Sequence, residues 1–187
     1  DLGRPDRVGL LFPLRITPRL LKTPRPRIAL LPLSRWPTKN WPAERFAETA
    51  VALRQRVQAA IYILGGSGPE EKRIGADVAR AIGPEVVNLT GQTSLVEMAE
   101  VLASMDLLIS NDSGPIHMAA ALGVPVLALF GPTDPIRTGP YGSIHRVLTA
   151  DLPCRPCFRR QCRLDTSACM VGIPVDRVIR TALEMLA

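Results

Sequence analysis

Residues 106–130 have the sequence DLLISNDSGPIHMAAALGVPVLALF, in which two apolar segments flank a polar loop and a short helical segment. Residues 106–110 and 126–130 are short, almost continuously apolar runs, which is typical of strands buried on both faces. The polar residues 111–115 would open a helix that stops at Gly123. A strand, a helix and a second strand in this order predict parallel strands joined by a crossover helix.

The same alternation continues towards both ends of the sequence. Further strands are predicted at residues 28–33, 60–64, 86–89 and 145–148, and further helices after Pro42, after residues 65–68, after Ser94 and near Pro174. Ser94 and Glu97 have the spacing of a capping box, which opens a helix predicted to run through Met105. Gly83-Pro84 would end the helix before it. The sequence therefore predicts an α/β protein with a doubly wound, Rossmann-like parallel sheet.

The length and composition of the chain limit the number of domains that it can form. The chain has 187 residues, 47% of them hydrophobic, which is enough for one sizeable core but cramped for two domains. The longest apolar run, residues 118–131, contains Pro125 and is shorter than the roughly 20 residues of a membrane-spanning helix, so no such helix is predicted. The sequence begins at Asp1 without a secretory signal pattern, and we expect either a trimmed start or a piece of a longer protein.

Positive charge is concentrated at the start of the chain. Residues 1–27 contain seven Arg or Lys against two Asp, out of a net charge of +6 for the whole sequence. Such a balance suits nucleic acid, an anionic membrane face or phosphorylated substrates, or merely reflects codon bias. Aromatic residues make up 4% of the chain, so nucleic acid is not an expected partner. The five prolines of residues 1–26 predict an extended interdomain linker, and residues 27–187 would form the folded domain.

Residues able to bind a ligand follow the predicted strands, at the edge where parallel sheets bind their ligands. The N–H groups of Ser113 and Gly114 would lie at a helix N-terminus, which favours a phosphate. Asp112 is positioned to accept hydrogen bonds from sugar hydroxyls. The alternative interpretation is that Asp112 or Ser113 only caps the helix. His117 lies in the same helix and is either a ligand contact or an ordinary surface or core histidine.

Two other loops supply candidates of the same kind. Lys39 follows the first strand and is either a ligand contact or a solvated lysine. Glu70 and Glu71 follow the second strand and would hold a ribose diol or stabilise a helix dipole. The preceding Gly65–Gly68 run lacks the third glycine of the dinucleotide fingerprint, and the chain contains no phosphate-binding-loop motif. Hydride transfer and kinase activity are therefore not predicted.

Four cysteines lie close together near the end of the chain: Cys154, Cys157, Cys162 and Cys169. Their spacing would satisfy a tetrahedral zinc ion, two disulfides or four free thiols, although it departs from the paired Cys-x-x-Cys of zinc ribbons. Without a secretory signal, thiols or a metal are favoured over disulfides.

The sequence resembles glycosyltransferase family 9, the heptosyltransferases. The resemblance lies in residues 111–125 (NDSGPIHMAAALGVP), 129–133 (LFGPT), 137–142 (RTGPYG), 35–42 (RWPTKNWP) and the cysteine segment, and it covers residues 27–187. It implies the C-terminal, donor-binding domain of a two-domain GT-B enzyme. Such an enzyme transfers heptose from ADP-heptose to the inner core of lipopolysaccharide at the cytoplasmic face of the inner membrane, which allows peripheral membrane contact.

The resemblance also implies roles for residues. Lys39 would contact the donor phosphate, Glu70 or Glu71 the ribose, Ser113 with Gly114 the diphosphate, and Asp112 with His117 the heptose. The reaction would invert the anomeric centre without a required cofactor, using a carboxylate base from an N-terminal domain that is absent here. Ser113 stands where the family often has Thr, which keeps the hydroxyl. The competing interpretations are a non-catalytic nucleotide-binding module and another nucleotide-sugar enzyme, such as an epimerase.

Overall fold

A computed structural model of the protein describes residues 16–187 and contains a six-stranded, all-parallel sheet. The strands are β1 (Arg27–Leu31), β2 (Ala60–Ile63), β3 (Val87–Asn88), β4 (Leu107–Asn111), β5 (Val126–Phe130) and β6 (Arg146–Thr149). Their order in the sheet is β3-β2-β1-β4-β5-β6, so the direction of winding reverses between β1 and β4. The predicted doubly wound parallel sheet is therefore confirmed.

Helices cover both faces of this sheet. They are α1 (Ala43–Val57), α2 (Pro69–Ile82), α3 (Leu95–Leu102), α4 (Gly114–Ala121), α5 (Pro135–Thr138), α6 (Ala168–Val171) and α7 (Val175–Leu186). Helices α1, α2 and α7 share one apolar cluster with the sheet, and α3 and α4 share the other. Along β1 the side chains of Ile28 and Leu30 enter the first cluster and those of Ala29 and Leu31 the second. This alternation explains why the strands are apolar throughout.

Local sequence signals predicted most helix ends correctly. Both bonds of the predicted capping box at Ser94 and Glu97 are present, and α2 ends before Gly83, whose φ of 109° is in the region that favours glycine. Helix α3 ends at Leu102 rather than Met105, because a tight turn follows and the Ser104 hydroxyl bonds to the Glu100 and Arg19 carbonyls. Helices α5 and α6 were not predicted, because each has only four residues and too few turns to show a repeating pattern.

Residues 16–26 contain no helix or strand, yet they contact the domain. The Arg19 N–H donates to the Glu100 carbonyl at 3.0 Å, and the hydroxyls of Thr23 and Tyr62 are 2.5 Å apart. The assignment of residues 1–26 as an interdomain linker stays a prediction, and residues 1–15 of it lie outside the described residues. No helix within residues 16–187 is long and apolar enough to cross a membrane.

Candidate functional site

A cleft of about 530 Å³ opens at the carboxyl ends of β1 and β4, where the strand order reverses. This is the position at which open α/β sheets bind their ligands. The loops after β1, β2 and β4 form most of the walls. Among the lining residues are Lys39, Glu71, Asp112, Ser113, Gly114 and His117.

Asn111, the last residue of β4, holds the loop after β1 against the cleft. Its Oδ1 accepts the Trp41 N–H at 3.0 Å, and its Nδ2 donates to the Pro32 carbonyl at 2.8 Å. The side chain is fully buried, so each of these bonds satisfies a group that water does not reach. The two ends of the loop that carries Lys39 are thereby attached to the strand that precedes Asp112.

Lys39, Asp112 and Thr133 form a polar triad, in which Lys39 and Asp112 line the cleft and Thr133 is buried beside Asp112. Lys39 Nζ lies 2.7 Å from Asp112 Oδ2, and the Thr133 hydroxyl donates to the same oxygen at 2.6 Å. The exposed fractions of the Lys39 and Asp112 side chains are 16% and 5%, so this ion pair is shielded from water far more than a surface pair. Lys39 is thus not the solvated loop lysine of the alternative interpretation.

Two cations lie over the Trp36 ring, beside the triad. Lys39 Nζ is 4.5 Å from the ring centroid and Arg160 Cζ is 4.9 Å from it. The Thr38 hydroxyl donates to the Arg159 carbonyl at 2.7 Å, which joins this loop to the cysteine and arginine segment. Cation–π attraction and this bond together restrict the position of the lysine.

The N-terminus of α4 is open towards the cleft. Ser113 is the N-cap residue, but its side chain makes no capping bond, and the Asp112 carboxylate is bonded to Lys39 and Thr133 instead. The capping interpretation of these two residues is therefore wrong. Pro115 has no N–H, and within residues 16–187 the amides of Ser113 and Gly114 donate to no acceptor. A Cβ built on Gly114 meets no atom within 4 Å, so the surrounding protein does not require glycine there.

The two acidic residues after β2 are separated by the structure. Glu71 lines the cleft and its Oε1 accepts the Gly66 N–H at 3.0 Å. Glu70 is exposed and does not line the cleft. Of the two ribose candidates, Glu71 alone is placed beside the other predicted residues.

The structure thus gathers six of the seven predicted site residues in one cleft, and Glu70 is the exception. His117 is exposed on α4 and lines the cleft. Sequence reasoning missed the roles of Trp36, Asn111, Thr133 and Arg160. Their partners lie up to 124 residues away in the chain, as for Arg160 and Trp36, and no local spacing indicates such contacts.

The four cysteines form no disulfide and line a separate cavity of about 200 Å³. Backbone N–H groups of Leu164 and Ser167 bond to the Cys162 sulfur and lower the pKa of its thiol, whereas burial raises the pKa of Cys169. In the part of the chain that the structure describes, no group of three or more His, Cys, Asp or Glu is arranged to hold a metal ion. The arrangement therefore gives no support to the zinc prediction.

Comparison with known proteins adds independent information. Residues 13–168 match the family model of glycosyltransferase family 9 (heptosyltransferase). Lipopolysaccharide heptosyltransferase 1 of Pseudomonas aeruginosa is 38% identical over 137 residues, which cover 73% of this chain and 38% of that protein.

Solved structures of heptosyltransferases are also similar to this chain. The E. coli ADP-heptose lipopolysaccharide heptosyltransferase II has a TM-score of 0.72 and 26% identity, covering 89% of this chain and 48% of that one. E. coli heptosyltransferase WaaC, solved with ADP, has a TM-score of 0.70 and 25% identity, covering 86% and 44%. The chain spans less than half the length of each of these proteins.

Proposed function

Because this chain belongs to glycosyltransferase family 9, we propose that it is the donor-binding half of an enzyme that transfers heptose from ADP-heptose to the lipopolysaccharide core. One observation carries the proposal. Lys39, Asp112 and the open N-terminus of α4 meet in a single cleft at the reversal of strand order. A cation and free backbone donors suit a diphosphate, and a carboxylate can accept hydrogen bonds from the hydroxyls of a sugar.

The diphosphate would bind at the N-terminus of α4. The unpaired N–H groups of Ser113 and Gly114 supply donors there, and the helix dipole favours negative charge. Lys39 would move its Nζ from Asp112 Oδ2 to a phosphate oxygen, a short displacement because the cleft borders both groups. Charge-assisted bonds of this kind are about twice as strong as neutral ones.

The ribose would lie on the side of the cleft formed by Glu71. Glu71 Oε1 is held by the Gly66 N–H, so the carboxylate is fixed while its second oxygen remains available to a hydroxyl. A Cβ on Gly66 would lie 2.7 Å from Glu71 Oε2, which shows how closely backbone and carboxylate approach here. Exposed Glu70 has no part in this proposal.

The heptose would lie between Asp112 and His117. Oδ2 of Asp112 is occupied by Lys39 and Thr133, and among residues 16–187 no bond to Oδ1 is formed. Oδ1 would therefore accept a hydroxyl of the sugar, and the exposed His117 ring would contact the same sugar from α4.

The complete enzyme would need a second half. The matched proteins extend well beyond the aligned region, and we assign to that extra length the acceptor site and the carboxylate base of an inverting reaction. The family assignment also leads us to propose that the complete enzyme works at the cytoplasmic face of the inner membrane, in peripheral contact with it. No cofactor and no metal has a role in the proposal.

The test is calorimetry on this chain with ADP, ADP-heptose and UDP, combined with a transfer assay using a lipopolysaccharide-core acceptor. We expect binding of ADP and ADP-heptose, weaker binding of UDP, and no transfer. Absence of ADP binding would contradict donor binding. Preference for UDP would favour a different nucleotide-sugar enzyme, and transfer by the chain alone would contradict its assignment as an incomplete half.

A further inference from the structure

We infer that Thr133 is a positioning residue for the donor sugar: it holds the Asp112 carboxylate in the orientation that presents Oδ1 to the cleft. The inference rests on the proposed function, because it concerns the sugar that Asp112 would bind. Thr133 does not line the cleft, whereas Asp112 does. Asp112 is the cleft residue to which the Thr133 hydroxyl is bonded, so Thr133 would act on the donor through Asp112.

The geometry of the contact is well defined. The Thr133 hydroxyl donates to Asp112 Oδ2 at 2.6 Å, and Thr133 is only 2% exposed. Asp112 follows β4 and Thr133 follows β5, which are neighbouring strands, and the Asp112 N–H donates to the Leu129 carbonyl at 3.2 Å. Both the backbone and the side chain of Asp112 are thus attached to β5 and its loop.

Thr133 is itself held firmly. The Pro132 carbonyl before it accepts the N–H groups of Cys157 and Phe158 at 3.0 and 2.8 Å. A proline in this loop restricts the backbone, and a β-branched threonine has few side-chain rotamers. Its hydroxyl is therefore a fixed donor.

Lys39 is less suited than Thr133 to this role. A phosphate would compete with Asp112 for the lysine ammonium, and Lys39 has a long side chain with four rotatable bonds. Once Nζ moves to the diphosphate, Thr133 is the remaining donor to Oδ2 among the described residues. The threonine bond then decides whether the carboxylate keeps its orientation while the sugar is bound.

Thr133→Val tests the inference, because valine keeps the branched shape and removes the hydroxyl. We expect the ratio of the ADP-heptose to the ADP dissociation constant to rise by roughly tenfold or more, as for loss of a hydrogen bond to a charged group, with ADP affinity within about twofold of wild type. Thr133→Ser restores the hydroxyl and should restore the ratio. Thr133→Ala supplies the same comparison if the valine variant does not fold.

A double mutant separates positioning from a merely structural effect. In an Asp112→Asn background, Thr133→Val should not change the ratio further, since the carboxylate through which it acts is already lost. An additive effect, an unchanged ratio in the single variant, or equal weakening of ADP and ADP-heptose would each overturn the inference. If the wild-type chain binds neither compound, the proposed function fails, and the inference fails with it.

Discussion

Lys39 Nζ and Asp112 Oδ2 are 2.7 Å apart and join the two loops on either side of the reversal in strand order. The family resemblance implies that these residues contact different parts of the donor, Lys39 the phosphate and Asp112 the sugar. Because of this pairing, the lysine ammonium group already has a carboxylate partner before any ligand binds. Under the proposed function, donor binding would therefore be an exchange, in which the diphosphate replaces a carboxylate as the partner of the ammonium group.

Replacing Lys39 by Ala should weaken ADP binding by roughly 10- to 150-fold, measured by calorimetry. The variant removes the cation and also leaves the buried Asp112 carboxylate without its counter-ion near the phosphates. Lys22→Ala is the matched control, because Lys22 is an exposed lysine before β1 and should leave affinity unchanged. Equal affinities of the Lys39 variant and wild type would remove Lys39 from the site.

Asp112→Asn should leave ADP affinity equal or higher, because the lysine is released, while weakening ADP-heptose by about 1 to 3 kcal/mol. The quantity to measure is the ratio of the two dissociation constants. Asp134→Asn is the control, since Asp134 caps α5 through the Ile136 N–H and Asn caps equally well. A ratio that does not move would reject sugar binding by Asp112.

Gly114→Ala should fold as well as wild type and weaken ADP binding by roughly tenfold or more. The new methyl group meets no protein atom within 4 Å, so it would interfere only with a ligand that approaches the helix N-terminus. Gly123→Ala is the contrasting variant. Its φ is 73°, so it should lose roughly 1 to 2 kcal/mol of folding free energy in a urea titration without affecting ADP. Normal ADP binding by the Gly114 variant would place the diphosphate elsewhere.

The free energy of unfolding should fall as the pH drops below about 6.5 because of His145. Burial lowers the pKa of this ring, whose Nδ1 accepts the Val126 N–H at 3.2 Å. The pKa of His145 is lower in the folded chain than in the unfolded chain. At pH values between the two, the unfolded chain binds a proton that the folded chain does not. The free energy of unfolding therefore falls as the pH is lowered, until the folded pKa is reached.

Urea titrations of His145→Gln and His117→Gln across this pH range check the assignment. These two residues are the only histidines of the sequence, and His117 is exposed. The His117 variant should keep the wild-type pH dependence and the His145 variant should lose part of it. The reverse pattern would exclude His145 as the source.

Alkylation with iodoacetamide near neutral pH should modify Cys162 fastest and Cys169 slowest, as followed by mass spectrometry of peptides. The backbone N–H groups around Cys162 lower its thiol pKa and favour the thiolate, while Cys169 is buried with a raised pKa. Cys162→Ser should abolish the fast phase. If all four thiols react only after a chelator is added, a bound metal is protecting them and the zinc interpretation returns.

The sequence alone determined the fold class and most element positions. The signals that predicted these elements are local, since each depends on only a few neighbouring residues. Examples are the apolar run of residues 126–130 and the helix signals at Ser94 and Gly83. The position of the cleft followed from the same information, because parallel strands must present their carboxyl ends at one edge. The family followed from motifs in the loops at that edge, and the family model match confirmed it.

Only the tertiary structure decided how the site residues are paired. In the folded chain Glu71 rather than Glu70 lines the cleft, Lys39 pairs with Asp112, and the Thr133 hydroxyl donates to the same carboxylate oxygen. These contacts join residues that are 73 and 21 positions apart, and their distances depend on the packing of β1, β4 and β5 beside one another. A hydrogen bond requires its atoms within about 3 Å, and the residue types in a sequence do not specify that distance until the chain is folded.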